Sequence, residues 1–312
     1  MDNMSIINKA DLQLSDLQNG GLLPEERATS FVQTMIMEGV LLKLADIIIM
    51  KSPKKVIDKA QFGTRVLRAG TAGEALSFAE RSKPTLDKIE LSAELFKAEV
   101  RIDEETLEDN IEGADFQNTI MDMMAGAIAR DVDEYLIMGD KASADPDLAK
   151  IDGILKSTTS NVVAAGGVFL SKQVLKNMIQ AMPLEYMRDR KNMAFLTSVN
   201  AELDYRDQIE DRGTALGDRV YEQSIDAGVK AHGIPVVPIP MWPEDLGGGG
   251  DETAVVLTNP RNLKVGIWRN IRMRTARDIA AGVLIIVASM RMDFKYAEEL
   301  ATVKATGVKV GA

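Results

Sequence analysis

Between Ile89 and Asp109 the apolar positions change parity. Ile89, Leu91, Ala93 and Leu95 are odd, whereas Phe96, Ala98, Val100 and Ile102 are even. Alternation with a period of two marks a strand with one buried face, and a slip of one residue moves the buried set to the opposite face. A β-bulge or bend near Leu95 and Phe96 accounts for the change. The strand then serves two environments, one before the bend and one after it.

Upstream, Phe31, Val32, Met35 and Ile36 predict a helix over Leu22 to Met37, opened by Pro24, Glu25 and Glu26. Residues before it are polar and read as a mobile arm. Ile47 to Met50 predicts a short strand. From Lys51 to Ile102 the chain reads as a two-armed excursion: Val56 to Leu67 goes out, the parity-switching stretch returns, and AGTAGEALSFAERSKPT forms the tip. Arms of about 12 to 15 extended residues would span roughly 40 to 50 Å. Such a hairpin is marginal alone in water, so it needs another surface, and a neighbouring subunit is the expected source.

Helical spacing of Phe116, Ile120, Met123, Met124, Ala127, Ile128, Tyr135 and Leu136 predicts the longest helix over Asp115 to Met138, about 36 Å at 1.5 Å per residue. It closes at Gly139 as a C′ residue. Ala125, Gly126, Ala127 and Ala129 thin its middle for close approach, although Gly126 costs about 1 kcal/mol of helix propensity relative to Ala.

A linker at Asp145-Pro146-Asp147 leads to a second region of helices and strands. Ser171 is placed to cap a helix bearing Val174, Leu175, Met178 and Ile179. Ala194 to Leu196 predicts a strand, Val199 to Ile209 a helix, and Gly213 to Gly217 a loop. In GIPVVPIPMWP the prolines remove ladder donors, which predicts an edge strand or extended connection. Gly247 to Gly250 is a turn; Val255 to Thr258 and Val265 to Ile267 are strands. Met290, Met292, Phe294 and Tyr296 alternate with Arg291, Asp293 and Lys295 in a final half-buried strand. The class is α+β.

Composition narrows the function. The chain has 312 residues, 46% hydrophobic, and a formal charge of -10. That charge opposes phosphate-backbone binding as the main task, since such binding needs clustered Lys and Arg. No run approaches the roughly 20 apolar residues of a membrane span. The opening MDNMSIINKADLQLSD lacks the regions of a secretory signal, an expectation of cytoplasmic synthesis. With no cysteine there is no disulfide and no thiolate chemistry. The one histidine, His232, sits beside Gly233-Ile234-Pro235 and reads as structural.

Candidate chemistry is sparse. Asp103, Glu104, Glu105, Glu108, Asp109 and Glu112 resemble a metal site or acid/base pair only superficially, because carboxylates crowd helix starts to complement the dipole. The glycines at 247 to 250 lack the Lys-Ser/Thr ending of a phosphate loop. Arg269, Arg272, Arg274 and Arg277 read as strand alternation and subunit salt bridges. The methionines suit adaptable packing and define no cofactor site. No catalytic, cofactor or metal residue is assigned. The hairpin and arm instead suggest an assembling structural protein.

The order GGLLPEE, FKAEVRIDEETLED, YLIMGD, IDGIL, GIPVVPIPMWP, LTNPRNLKVGIWRNIRMR and SMRMDFKY resembles that of tailed-phage major capsid proteins with the Hong Kong 97-type fold. The resemblance implies an N-terminal arm (1–45), an extended-loop hairpin with its base strands (46–102), a peripheral domain with a spine helix (103–150), an axial domain (151–267), and peripheral C-terminal strands (268–312). It further implies hexamers and pentamers of an icosahedral head, assembled in the host cytoplasm around DNA without sequence-specific contact or membrane. Its implied partners are a portal and room for a decoration protein, and because only about 20 residues precede GGLLPEE, too few for a coiled-coil scaffold, a separate scaffolding protein, or none, is expected.

In such a shell the basic outgoing arm, with Lys54, Lys55, Lys59, Arg65 and Arg68, would face acids Glu104, Glu105, Glu108 and Asp109 of the adjacent subunit. An encapsulin-type nanocompartment shell shares the fold, and a soluble carboxylate-dependent enzyme is the alternative from another class. Particle contents separate the two shells, and a monomer with hydrolytic activity would mark the enzyme.

Overall fold

The computed structural model describes residues 39–61, 66–70, 73, 75–103, 116–210, 228–247, 249–268 and 272–311. The expected helix over Leu22 to Met37, the loop from Gly213 to Gly217, Arg65, and the acids Glu104, Glu105, Glu108, Asp109 and Glu112 lie outside them.

In chain order, a short helix α1 (Val40–Leu44) leads into β1 (Asp46–Met50), the hairpin strands β2 (Lys54–Gln61) and β3 (Thr85–Ser92), and β4 (Glu94–Asp103). The spine helix α2 covers Phe116–Met138, followed by α3 (Ile154–Ser157) and β5 (Val162–Phe169). Then come α4 (Lys172–Ala181), β6 (Ala194–Thr197), α5 (Val199–Glu210), β7 (Lys230–Ala231) and β8 (Ile234–Pro238). The last strands are β9 (Glu252–Thr258), β10 (Leu263–Trp268), β11 (Arg272–Asp278), β12 (Val283–Tyr296) and β13 (Thr302–Lys309).

Two sheets form the body. In the first, β12 is central. Residues 283–289 pair antiparallel with β11, 283–292 with β4, and 292–296 with β10, which lies parallel to β1. The even-numbered side chains Leu284, Ile286, Ala288, Met290, Met292 and Phe294 are buried in one core with Met124, Ala125, Ile128, Ala129, Val132 and Leu136 of the spine helix. The second sheet runs β5-β13-β9-β6-β8-β7. Phe195, Val255, Leu257 and Val303 are buried in a core with Val174, Leu175 and Met178 of α4 and with Tyr205 and Ile209 of α5. Leu196 and Val256, of opposite parity, belong to the first core. β6 and β9 are thus buried on both faces, which explains their unbroken apolar runs.

Sheet membership divides the chain elsewhere than at the expected boundary after residue 267. β10, expected with the 151–267 segment, lies in the first sheet, and β13, inside the 268–312 segment, lies in the second. Hydrogen-bond pairing across long sequence separations decides this, and alternation within a strand carries no partner information.

Local readings fare better. Ser171 caps α4, its hydroxyl accepting from the Val174 N–H at 3.5 Å. His232 has φ of 51° and, with Gly233 at 83°, forms the two-residue turn joining β7 to β8; both central residues at positive φ suit a tight hairpin. Gly139 does follow the spine helix, but it is absent from the positive-φ glycines. Its role is close approach. A Cβ there would lie 2.5 Å from the Ile151 carbonyl oxygen, and one at Gly153 would lie 2.7 Å from the carbonyls of Leu136 and Ile137. The thinned helix middle is used on two sides. Ala125 and Ala129 are buried in the first core, while Gly126 and Ala127 line a groove of about 500 Å³ with Val40, Met123, Pro240 and Met241.

Candidate assembly surface

The hairpin leaves the body at a built junction. Among the described residues β3 pairs only with β2, in register from Lys54 opposite Ser92 to Gln61 opposite Thr85, whereas β4 pairs with β12. Between them stands Ala93, outside both strands, donating its N–H to the Pro53 carbonyl at 2.8 Å. The parity switch is real but falls at Ala93, two residues before the predicted bend. What changes there is the strand's partner. Odd residues Leu91 and Ala93 are buried with Met50 in a small separate core; even residues Phe96, Ala98, Val100 and Ile102 then pack on the first core. Gly266 makes room at this root, since a Cβ there would lie 2.7 Å from the Met50 sulfur and 3.1 Å from Leu91 Cδ1.

Asp293 holds the junction from below. Its carboxylate accepts from the Ser92 N–H at 2.7 Å and from the Phe294 N–H at 2.9 Å. Burial pushes its carboxyl above the ordinary value despite these bonds. Alternation assigned Asp293 to the polar face of its strand, and nothing in that pattern marks it as a buried acceptor. Asp133 does a similar task for the entry helix, accepting from Val40 N–H at 2.8 Å and Leu41 N–H at 3.3 Å. Its other oxygen is buried without a partner, and desolvation raises its carboxyl. A signal for it existed: an acid beside the apolar stripe of Ile128, Ala129, Val132 and Leu136.

The two-stranded part of the hairpin is eight residues on each arm, or about 26 Å of ladder, shorter than predicted. Val56 and Leu86 are exposed on it, and Leu67 and Phe78 are 84% and 89% exposed nearer the tip. The basic candidates are partly engaged within their own chain. Lys54 lies 3.4 Å from Glu90 across the hairpin, with both side chains mostly in solvent. Lys59 contacts Glu298, just beyond β12, and this pair is largely shielded. Burial, and the nearby Glu298 carboxylate, also push the Tyr186 phenol up. Lys55 is half-buried and Arg68 exposed. Their proposed acidic partners, Glu104, Glu105, Glu108 and Asp109, lie outside the described residues; Asp103, just before them, ends β4 exposed.

Among the described residues no group of three or more His, Cys, Asp or Glu could hold a metal ion, and no helix is long and apolar enough to cross a membrane.

The architecture is that of known shells. A chain of the satellite phage P4 procapsid that includes the size determination (Sid) protein superposes with a TM-score of 0.68 at 15% identity, covering 91% of each chain. The capsid of a native GTA particle gives 0.63 at 18% identity, covering 87% of this chain and 90% of that one. The SrpI encapsulin of Synechococcus elongatus PCC 7942 gives 0.60 at 12%, covering 87% and 88%. At these identities the likeness shows the Hong Kong 97-type fold.

Sequence adds the family. The protein YqbE of Bacillus subtilis (strain 168), whose name describes a prophage capsid protein, is 37% identical over 313 residues, covering 99% of this chain and all of its own. The model of the phage capsid family matches residues 19–307. The chain therefore belongs to the phage capsid family, as a structural shell subunit of the kind that forms a virion capsid.

Proposed function

We propose that this subunit assembles into hexamers and pentamers of an icosahedral head enclosing double-stranded DNA, inside the host cytoplasm, with a portal and a separate scaffolding protein. The observation that carries the reading is the hairpin. It is a two-stranded ribbon that leaves the body with Val56, Leu67, Phe78 and Leu86 in solvent, and a ribbon of this kind gains its stability from a third surface. The spine-helix region takes the peripheral role and the second sheet the axial role. DNA would be held by volume and charge balance and not by base recognition, given the formal charge of -10.

Deleting Ala69 to Pro84 tests the reading. The variant should melt as the intact subunit does, yet negative-stain images should show few or no closed particles. Normal particles from the deletion would remove the hairpin from the interface.

Fold likeness to the SrpI encapsulin favours one second reading, a nanocompartment around protein cargo. Nuclease-protected DNA in purified particles supports the phage head, and an enclosed protein in its place supports the compartment.

A further inference from the structure

The groove beside the spine helix is apolar along most of its length and holds an acid that is only half satisfied. Met123, Gly126 and Ala127 line it from the helix, Pro240 and Met241 from the turn after β8, and Val40 from the start of α1. The helix is thin there. A Cβ on Gly126 would meet nothing within 4 Å, and Met123 is 70% exposed. Asp133 also faces the groove. Its side chain is buried; one oxygen accepts from the Val40 and Leu41 N–H groups, and the other is buried with no hydrogen-bond partner. A buried carboxylate oxygen left this way costs stability until a donor reaches it.

The occupant follows from where the chain enters. Gly39, the first described residue, is extended at φ of −70° and ψ of 129°. It directly precedes Val40, so the chain before it begins at the edge of the groove. The Asp133 bonds to α1 hold that entry point against the middle of the spine helix. Upstream, Ala28, Phe31, Val32, Met35 and Ile36 fall at i, i+3, i+4, i+7 and i+8, the spacing of a single apolar helical stripe. A helix of this length is marginal alone in water, so the stripe requires a cover. The small residues at 126 and 127 leave room for side chains the size of Phe31 and Met35. Thr34 flanks the stripe with a hydroxyl donor, and Glu38 precedes Gly39 with a charge opposite to that of Arg130, exposed at the groove rim.

We propose that this groove is the docking site of the chain's own residues 28–36, which fold back from Gly39 as an amphipathic helix and supply the donor that Asp133 lacks. The contact is made within one subunit. Residues 1–21 then leave each subunit from a fixed point on its own spine helix, before any neighbour is met.

The chain has no cysteine, so introduced pairs report on the contact without background. In full-length unassembled subunits Met123→Cys is combined in turn with Val32→Cys, Met35→Cys and Ile36→Cys on the stripe, and with Gln33→Cys off it. On mild oxidation at least one stripe pair should close a disulfide within a single chain, read on a non-reducing gel, and the Gln33 pair should not. Trypsin gives an independent readout at Arg27, one residue before the stripe. Gly126→Trp, which fills the groove, should speed cleavage at Arg27 roughly tenfold or more, whereas Gly126→Ala should change it little. The cysteine pairs decide the matter even where Gly126→Trp does not fold. Disulfides that join two chains would overturn the inference and assign the groove to a second copy. Failure of every stripe pair, closure of the Gln33 pair as readily as the others, or equal cleavage in folded Gly126→Trp and unaltered subunits would overturn it as well.

Discussion

β12 and the returning hairpin strand β3 both carry alternating apolar residues, and they are covered to different extents. In β12 every even residue from Leu284 to Met292 is buried against a helix. In the hairpin, the odd residues Ile89 and Leu91 alternate in the same way, but burial is complete only at the root, at Leu91, while Leu86, off that alternation and farther out, is 73% exposed. The difference is what lies opposite. β12 has strands on both edges and the spine helix on one face, while among the described residues β2 and β3 pair only with each other and meet the body near their root, through Met50, Asp293 and Glu298. The continuous chain from Thr85 to Asp103 passes from one regime to the other at Ala93. Alternation therefore reports that a face is to be covered, and the cover can belong to the same chain or to another.

The largest effect is expected in the body. Gly153→Val places side-chain atoms where even a Cβ would lie 2.7 Å from two spine-helix carbonyls, so it should destabilise the subunit by about 3 kcal/mol. A thermal melt reads the loss directly. No substitution of comparable size on the exposed face of the hairpin, such as Leu86→Ala, should shift that melt by more than about 0.5 kcal/mol.

The junction gives the next largest effect. Asp293→Ala strands the Ser92 N–H and should cost about 1 to 3 kcal/mol, measured by denaturant titration. Asp293→Asn keeps an acceptor and tests the electrostatics. Because burial raises the Asp293 carboxyl, the folded chain holds a proton that the unfolded chain has already released between the ordinary aspartate value and the raised one. Its stabilising contribution is fully present below that window and lost as pH rises through it. The Asn variant should show a shallower decline with rising pH across the window, and an unaltered slope would assign the effect elsewhere, with Asp133 and Asp204 as the other carboxyls raised by burial.

The smallest effects belong to hairpin charges. Reversing Lys54 and Lys55 to Glu should slow assembly in low salt, each exposed pair being worth about 0 to 1 kcal/mol, with the defect shrinking as salt screens it. Adding Glu104→Lys and Glu105→Lys should restore part of the rate if the two segments meet between subunits. A salt-independent defect with no recovery would mean separately solvated faces. Lys59→Ala should instead affect the isolated subunit, since its partner Glu298 is in the same chain.

Period and punctuation in the sequence already determined much of this protein. The spine helix, the alternation of the last half of β12 from Met290 to Tyr296, the Ser171 cap, the hairpin and the parity switch were legible because each is written within a few consecutive residues, where backbone geometry couples neighbours directly. The fold family was legible from the order of short motifs. Other features were decided only by the tertiary structure. β5 and β13, which the apolar pattern did not single out, became strands through pairing with each other and with β9. The parallel pairing of β1 with β10 joins residues more than two hundred positions apart. Asp133 and Asp293 became buried acceptors because backbone N–H groups from distant segments arrive beside them, and Gly139, Gly153 and Gly266 became obligatory because another part of the chain comes too close for a Cβ. Such choices depend on which surfaces meet, and a strand or a carboxylate carries no local mark of its distant partner.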